Sequence, residues 1–298
     1  MKALHMLLRK SIDYAGLFPP AGLDLGKAVA NYAAYLAGPD AWALGRFVVP
    51  ASQLSELARA LPDHARNTQP WHLAALAGRD VAADLHAIAG FNQIGGPARV
   101  NAFELKAGTP REIAALGRLL PNHLQAYIEI SIDRDPASLV AAIEQVGRWA
   151  KVRTGGVTRD AFPSPANLIR FITACVEHRV PFKATAGLHH PLRAEYRLTY
   201  EPDSERGTMF GFLNLFLAAA FLAAGMDRQQ VVMLLEERSL EAFRVDAGQI
   251  SWAGAPLSVE DIRRAREEVI HSFGSCSFTE PLSELQELHL LEPGVPQA

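Results

Sequence analysis

Four charged residues interrupt segments that otherwise have the pattern of buried β-strands, and their types and spacing are the ones that could do chemistry. Lys151 and Lys183 each stand late in such a segment, and each is followed by small residues and a glycine. Glu104 and Glu129 lie in two earlier segments. Because charged side chains are rarely buried without a partner, these four residues predict either an ion-pair network or a catalytic site.

Two lysines on consecutive strands could activate one another. Two ammonium groups roughly 6 Å apart, at an effective dielectric near 20, repel by about 3 kcal/mol. That repulsion equals about two pKa units and would bring one lysine from about 10.4 toward 8, and burial acts in the same direction. A lysine with such a pKa attacks carbonyl groups and forms a Schiff base. Glu104 or Glu129 would then transfer protons, directly or through water.

The segments that carry these residues alternate with helical segments. Seven such alternations precede residue 190, with strands expected over residues 11–17, 46–49, 71–77, 100–106, 126–132, 150–153 and 181–186. This alternation predicts a parallel sheet, and an eighth strand near residues 207–215 would close a (β/α)8 barrel. An open doubly wound sheet is the alternative, and it is disfavoured because no glycine-rich dinucleotide loop follows an early strand.

The predicted fold is therefore an α/β protein with a (β/α)8 TIM barrel over residues 1–226. Residues 227–298 are expected to form a C-terminal extension of helices and a hairpin packed on the barrel. Residues 191–206 have no clean helical pattern and are expected to form a long loop over the barrel mouth. The charged residues would lie at the C-terminal ends of their strands, where barrel enzymes hold their active sites.

The composition excludes several classes of function. The chain has 298 residues, 49% of them hydrophobic, and a net charge of −3 without clusters of basic residues. Nucleic acids and anionic membranes are therefore not expected as partners. No uninterrupted apolar run reaches the roughly 18–20 residues of a membrane span, and the N-terminus lacks the features of a secretory signal. Two cysteines form neither a disulfide framework nor a zinc site, so a cytoplasmic location is expected.

Several motifs, taken in strand order, resemble those of one enzyme family. Residues 12–14 (IDY) and 47–50 (FVVP) are similar to its first two strand motifs, IDHT and VxVNP. Lys151 begins KVRTG, which is similar to the family's KTSTG, and Lys183 begins KATAG, which is similar to its KASGG. On these motifs, residues 11–215 resemble deoxyribose-phosphate aldolase, a class I aldolase with a TIM barrel.

The resemblance implies a role for each charged residue. Lys151 would form the imine, Lys183 would lower the pKa of that lysine, and Glu104 would stand near the family's proton-transferring aspartate, with Asn101 as the competing position. Glu129 is the second candidate for proton transfer. Seven further residues are expected to contact the substrate: Asp13, Lys106, Arg153, Thr154, Thr185, Gly187 and His189. Arg153 could bind a substrate carboxylate or pair with Glu129, and Asp13 could pair with or orient Lys183.

The sequence departs from the family where the family binds phosphate. Residues 207–211 (GTMFG) stand in place of the family's GTSSG, and the loss of two hydroxyl donors would forfeit charge-assisted bonds of roughly 1.5–3 kcal/mol each. We therefore expect a small carbonyl substrate without phosphate, and no cofactor. If the eighth strand is misplaced, residues 275–277 (SCS) could supply an anion site instead.

The histidine pair and the two cysteines fit ordinary structural roles. His189 and His190 are adjacent, so on a strand they would point in opposite directions and would not share a metal ion. No metal site is therefore expected. Cys276 would need a neighbouring base and a lowered pKa to act as a nucleophile, and nothing in the sequence indicates either. Cys175 is expected to pack in the core.

The sequence favours a class I aldolase or related carbon–carbon lyase. The alternative is a barrel that has lost catalysis and serves in binding or assembly. That alternative would be favoured if side chains of the C-terminal extension filled the pocket. A third hypothesis is a lyase or isomerase that uses Lys151 only as a cation. Assembly into a homo-oligomer is compatible with all three.

Overall fold

The computed structural model describes residues 2–64 and 70–292. The strands are β1 (Ile12–Tyr14), β2 (Leu44–Pro50), β3 (Trp71–Leu76), β4 (Ala98–Lys106), β5 (Gln125–Glu129), β6 (Trp149–Arg153), β7 (Phe182–Thr185), β8 (Ala194–Arg197), β9 (Arg206–Met209), β10 (Phe243–Val245), β11 (Gln249–Trp252), β12 (Ala255–Ser258) and β13 (Ile270–Ser275). The α-helices are α1 (Lys2–Leu8), α2 (Leu25–Ala37), α3 (Leu54–His64), α4 (Val81–Gln93), α5 (Pro110–Leu119), α6 (Ala137–Gln145), α7 (Pro165–Glu177), α8 (Phe212–Ala223), α9 (Arg228–Glu236), α10 (Val259–Glu268) and α11 (Thr279–Glu287).

In the described part of the chain, β1 to β7 and β13 form a closed barrel of eight parallel strands. The strand order around the barrel is β1-β13-β7-β6-β5-β4-β3-β2. Helices connect the consecutive strands β1 to β7, as parallel pairing requires. The predicted (β/α)8 TIM barrel is therefore confirmed, and the open doubly wound alternative is wrong.

The expected position of the eighth strand is wrong. Residues 207–215 contribute the end of β9, which pairs antiparallel with β8, and the start of α8. The barrel is closed instead by β13, which pairs with β7 on one side and with β1 on the other. The barrel therefore continues beyond residue 226, and the domain boundary expected there does not mark its end. A short apolar run fits a buried helix as well as a strand, and α8 is such a helix.

The chain between β7 and β13 forms a large excursion on the barrel. The hairpin β8–β9 occupies most of the region where a long loop was expected. It is followed by α8 and α9, a three-stranded antiparallel sheet of β10, β11 and β12, and α10. Helices α9 and α10 and the strands β10 and β11 correspond to the helices and hairpin expected after residue 226, but they lead back into the barrel. None of the helices within residues 2–64 and 70–292 combines the length and apolarity needed to cross a bilayer.

The unit β6–α7–β7 positions the two lysines. Helix α7 begins where the sequence predicts it, with Ser164 as N-cap and Pro165 in its first turn. The Ser164 hydroxyl accepts a hydrogen bond from the backbone N–H of Asn167 at 3.1 Å, which satisfies one of the free donors of a helix start. Because the helix spans the crossover at fixed length, β6 and β7 align with Lys151 and Lys183 as direct register partners.

The closing strand is anchored in the core by an aromatic cluster. Phe273 of β13 is fully buried. Its ring stacks on Phe212 of α8 at a centroid distance of 5.0 Å and meets Phe216 edge-on at 5.7 Å. The excursion therefore packs against the strand that ends it, and the last barrel strand depends on α8, part of which was expected to be a barrel strand itself.

Phe273→Ala is expected to lower the free energy of unfolding by about 3–5 kcal/mol, because it empties space between the closing strand and α8. Met233→Ala in α9 is the control, since Met233 is 63% exposed and its truncation should change stability by less than about 1 kcal/mol. Urea denaturation followed by tryptophan fluorescence measures both. Equal, small effects would contradict the central packing of β13.

Candidate active site

Strand register brings Lys151, Lys183 and Glu129 to one level of the barrel. Lys183 on β7 is the register partner of Lys151 on β6, and Glu129 on β5 is the partner of Lys151 on its other side. Glu104 lies on β4, two residues before the strand end. All four side chains are buried. The charged residues singled out from the sequence are therefore neighbours at the C-terminal end of the barrel.

Glu104 lies between the two lysine ammonium groups. Its Oε2 is 2.8 Å from Lys151 Nζ, and its Oε1 is 2.6 Å from Lys183 Nζ. Lys151 Nζ also lies 2.9 Å from Glu129 Oε2, and Lys183 donates a hydrogen bond to Asp13. The five residues form an alternating lysine–carboxylate chain in the order Glu129, Lys151, Glu104, Lys183 and Asp13.

The charges of the lysine–carboxylate chain shift the pKa values of Glu104 and Lys183. Burial opposes ionisation of Glu104, but Lys151 and Lys183 outweigh it and lower the pKa of Glu104 to about 2. Burial likewise acts against the charged form of Lys183, yet Asp13 and Glu104 raise its pKa. The sequence predicted that unscreened repulsion would lower the pKa of one lysine. At Lys183 the structure gives the opposite result, because the pKa is raised. A shared carboxylate separates the ammonium groups and offsets their repulsion.

Asp13 anchors the inner end of the chain. Its Oδ1 accepts a hydrogen bond from the backbone N–H of Arg46, and its Oδ2 accepts one from the Ser272 hydroxyl, both at 2.8 Å. A Cβ at Gly45 would lie 2.3 Å from Asp13 Oδ1, so β2 must carry glycine here to approach β1. Asp13 therefore holds Lys183 from β1 while the closing strand β13 holds Asp13.

A cavity of about 260 Å³ opens directly above the chain. Of the residues predicted from sequence, those that line it are Glu104, Lys151, Lys183, Arg153, Thr185, Gly187 and His189. The apolar part of the wall is formed by Ala15, Phe18, Val48, Leu76, Val157, Leu198 and Met209. Two ammonium groups and a carboxylate therefore stand at the floor of a small, largely apolar pocket, a typical arrangement for a ligand site.

Four predicted site residues do not line this cavity. Asp13 lies beneath Lys183, and the Thr154 hydroxyl donates to the Ala186 carbonyl at 2.7 Å. Lys106 ends β4 with 71% of its side chain exposed and lies 3.0 Å from Glu129 Oε1. Glu129 and Lys106 line a neighbouring cleft, which they share with Arg153. Glu129 and Asp13 therefore act on the cavity through the lysines, and Lys106 stands outside it.

A second polar cluster at the cavity mouth has no counterpart in the sequence reasoning. Cys276 follows β13, His189 follows β7, and their Sγ and Nδ1 atoms are 3.9 Å apart. Glu280 Oε2 lies 3.2 Å from the same Nδ1. The base that the sequence did not indicate for Cys276 is thus His189. The signal that could have revealed this pair was the position of the eighth strand. Because β13 and β7 are neighbours in the barrel, the loops that follow them must meet.

Within residues 2–64 and 70–292, one group of side chains has donor atoms close enough together to hold a metal ion. The donor atoms of His190, Glu280 and Glu284 lie within 4.8 Å of one another. His190 Nδ1 is already hydrogen-bonded to Glu284 Oε1 at 2.5 Å, and its ring stacks on Tyr196 at 3.5 Å. This hydrogen bond and ring stack account for the arrangement, and we assign no metal to it.

Comparisons with known proteins add little to this geometry. No family model matches the sequence, and no curated protein matches it. A solved structure to which the chain is distantly similar is the fructose-bisphosphate aldolase from Slackia heliotrinireducens DSM 20476, which is 15% identical with a TM-score of 0.37. The match covers 79% of this chain and 88% of that chain. A likeness this distant carries no argument, and the specific resemblance to deoxyribose-phosphate aldolase stays a prediction.

The stability of the protein should depend on Glu104 at low pH. The pKa of Glu104 is about 2 in the folded chain against 4.5 when unperturbed. The ionised carboxylate therefore contributes about 3 kcal/mol above pH 4.5. That contribution is lost as pH falls from 4.5 through 2.

Glu104→Gln should be less stable than the wild type at pH 7, and the two curves should converge toward pH 2. The exposed Glu56→Gln on α3 should follow the wild type throughout. Urea denaturation at a series of pH values gives the comparison. A constant difference between wild type and Glu104→Gln from pH 7 to pH 2 would contradict the assigned ionisation.

Proposed function

We propose that the protein is a class I aldolase or related carbon–carbon lyase that acts on a small carbonyl compound through a Schiff base on Lys151. The observation that carries the proposal is the placement of the Lys151 amine. It stands at the floor of an open cavity at the C-terminal end of the barrel, with Glu104 at 2.8 Å and Glu129 at 2.9 Å. An amine flanked by carboxylate bases in a largely apolar pocket has the groups that imine formation needs.

The contacts of the two lysines support different roles. Lys183 is the more deeply buried, its pKa is raised, and it is held by Asp13 and Glu104. It therefore serves as a fixed positive charge. Lys151 lies beside Glu129, which leads to the neighbouring cleft. Lys151 is thus the lysine with a route for proton exchange, and we assign it as the nucleophile.

The proposed reaction uses the carboxylates as proton carriers. Glu129 or Glu104 takes a proton from the Lys151 ammonium, and the free amine then adds to the substrate carbonyl carbon. The oxygen of the adduct is protonated and leaves as water, which forms an iminium ion. The iminium draws electrons from the bond between the α and β carbons, so that this bond breaks as a carboxylate removes the proton of the β-hydroxyl. Protonation of the resulting enamine and hydrolysis return the amine.

The loop after the true eighth strand supports a substrate without phosphate. Residues 207–211 lie outside the barrel strands, so they do not stand in the position of the family's phosphate loop, which falls instead to the residues after β13. Glu280, however, stands in the first turn of α11, where phosphate-binding barrels place an anion. Its carboxylate already pairs with His189. A phosphate dianion there would meet a negative charge, so a neutral carbonyl compound suits the site better.

The open cavity favours catalysis over the binding-protein alternative. That alternative expected side chains of the C-terminal region to fill the pocket, whereas Gly274 and Cys276 only line its wall.

The two cysteines are unpaired, which supports the proposed cytoplasmic location because the cytosol keeps thiols reduced. A Lys151 that acts only as a cation would form no covalent adduct, so trapping separates that hypothesis from ours.

Borohydride reduction in the presence of small aldehydes and ketones is expected to leave a stable adduct on Lys151. Lys151→Ala should abolish the adduct, because the attacking amine is gone. Lys106→Ala is the matched control, since Lys106 also pairs with Glu129 but lies outside the cavity. Intact mass and peptide mapping give the readout. An adduct on Lys183 would reverse the roles, and an adduct retained by Lys151→Ala would contradict the proposal.

Lys183→Met should slow adduct formation near neutral pH and raise the pH at which it occurs. Without Lys183, the charges of Asp13 and Glu104 lose a neutralising partner and hold the proton on Lys151 more strongly. Each pKa unit of that effect slows the reaction at pH 7 on the order of tenfold. The rate of adduct formation across pH 6–10 measures it, with circular dichroism as the check on folding. A rate profile identical to that of the wild type would remove Lys183 from the mechanism.

A further inference from the structure

Four polar side chains form a closed ring of contacts at the mouth of the cavity. Cys276 Sγ lies 3.9 Å from His189 Nδ1 and 3.5 Å from the Tyr200 hydroxyl. Glu280 Oε2 lies 3.2 Å from the same His189 nitrogen and 3.1 Å from the same hydroxyl. Two donors, the imidazole N–H and the phenol O–H, therefore face the same two acceptors.

The ring has a donor for each acceptor when Cys276 is ionised. If the N–H of His189 Nδ1 donates to the sulfur and the Tyr200 hydroxyl donates to Glu280, both a thiolate and a carboxylate are satisfied. An imidazole nitrogen beside the sulfur, with a carboxylate beside the imidazole, is an arrangement that activates cysteine.

This ring is separate from the lysine–carboxylate chain but opens into the same space. Cys276 and His189 line the cavity that Lys151 and Lys183 also line, and the proposed aldolase chemistry uses neither of them. We propose that Cys276, paired with His189, is a second nucleophile of this cavity: a resting thiolate that small, uncharged electrophiles modify covalently. The inference does not depend on the proposed aldolase activity.

The surroundings of the sulfur agree with this assignment. Burial opposes ionisation of Cys276, but the hydrogen bond and charge of His189 outweigh it and lower the pKa of the thiol. Burial also acts against the charged form of His189, yet Cys276 and Glu280 raise its pKa to about 9. The remaining titratable neighbours, Tyr14 and Tyr200, have pKa values raised chiefly by burial, so both phenols stay neutral. His189 is therefore the one cation that contacts the sulfur among the described residues.

The second cysteine offers a reference within the same chain. Cys175 on α7 is fully buried in the apolar core, and burial raises the pKa of its thiol well above the usual value. It should be inert in the folded protein. The two thiols thus differ in both protonation and access, and the contrast lets one modification experiment report on both.

Iodoacetamide is a suitable uncharged probe. The thiolate sulfur forms a bond to the methylene carbon while the carbon–iodine bond breaks and iodide leaves with the bonding pair. No proton has to be removed at that step, and His189 stays protonated. The rate at Cys276, followed by peptide mapping from pH 5 to pH 10, should rise with a midpoint below the ~8.5 of a free thiol.

His189→Gln should move this midpoint upward by one unit or more, which is a loss of about tenfold in rate at pH values well below both midpoints. His190→Gln is the matched control, because His190 is the adjacent histidine and pairs with Glu284. It should leave the midpoint unchanged. Cys175 should react at comparable speed only in denatured protein.

Three results would overturn the proposal: a wild-type midpoint at or above 8.5, no reaction of Cys276 in the folded protein, or an unchanged midpoint in His189→Gln. The wild-type profile decides even if a variant does not fold. The experiment also stands apart from borohydride trapping. Alkylation of Cys276 with a low midpoint, but no borohydride adduct on Lys151, would remove only the aldolase proposal. A borohydride adduct on Lys151 without the low midpoint would remove only the proposed thiolate at Cys276.

Discussion

The structure at the barrel mouth depends on one carboxylate, Glu104, that is shared by two buried ammonium groups. Unpaired buried charges are costly, and removing one partner of a buried ion pair typically costs about 3–5 kcal/mol. Glu104 serves both Lys151 and Lys183, one through each oxygen. The lysines can therefore stand on adjacent strands without expelling one another. Asp13 and Glu129 extend the same alternation of charge to either side.

This alternation also shapes the chemistry. In the proposed mechanism the Lys151 amine must be neutral to attack a carbonyl group, and the two carboxylates beside it are the groups positioned to remove its proton. The fixed charge of Lys183 limits how strongly Glu104 holds that proton. In the proposed mechanism, the network is thus both the support of the site and its acid–base apparatus.

The strand β13 joins the two polar clusters of the cavity. Within the strand, Ser272 donates to Asp13 and so supports the lysine–carboxylate chain. Beyond its end, Cys276 meets His189 at the cavity mouth. The cavity is therefore built from both parts of the chain, the seven consecutive strand units and the segment that returns after the excursion. A barrel that ended at residue 226 would lack one wall of the cavity and the cysteine that we propose as a second nucleophile.

The repeating strand–helix alternation and the four charged residues were readable from the sequence, because both are local signals. Lys151, Lys183, Glu104 and Glu129 each break an apolar strand pattern, and α7 sets the spacing between the lysines. Asp13 was recognised as a potential partner of Lys183 for the same reason.

The tertiary structure alone decided which segment closes the barrel, how the charges pair and which residues contact Cys276. The apolar residues of α8 resemble a strand locally, and only packing against Phe273 reveals a buried helix. Lys106 lies on the same strand and the same face as Glu104 but beyond the rim of the barrel, where its side chain meets water and not the core. Glu104 neutralises both lysines, and His189 reaches Cys276, because sheet closure joins residues far apart in the chain. No local pattern records such contacts, since their energy arises only when the strands meet.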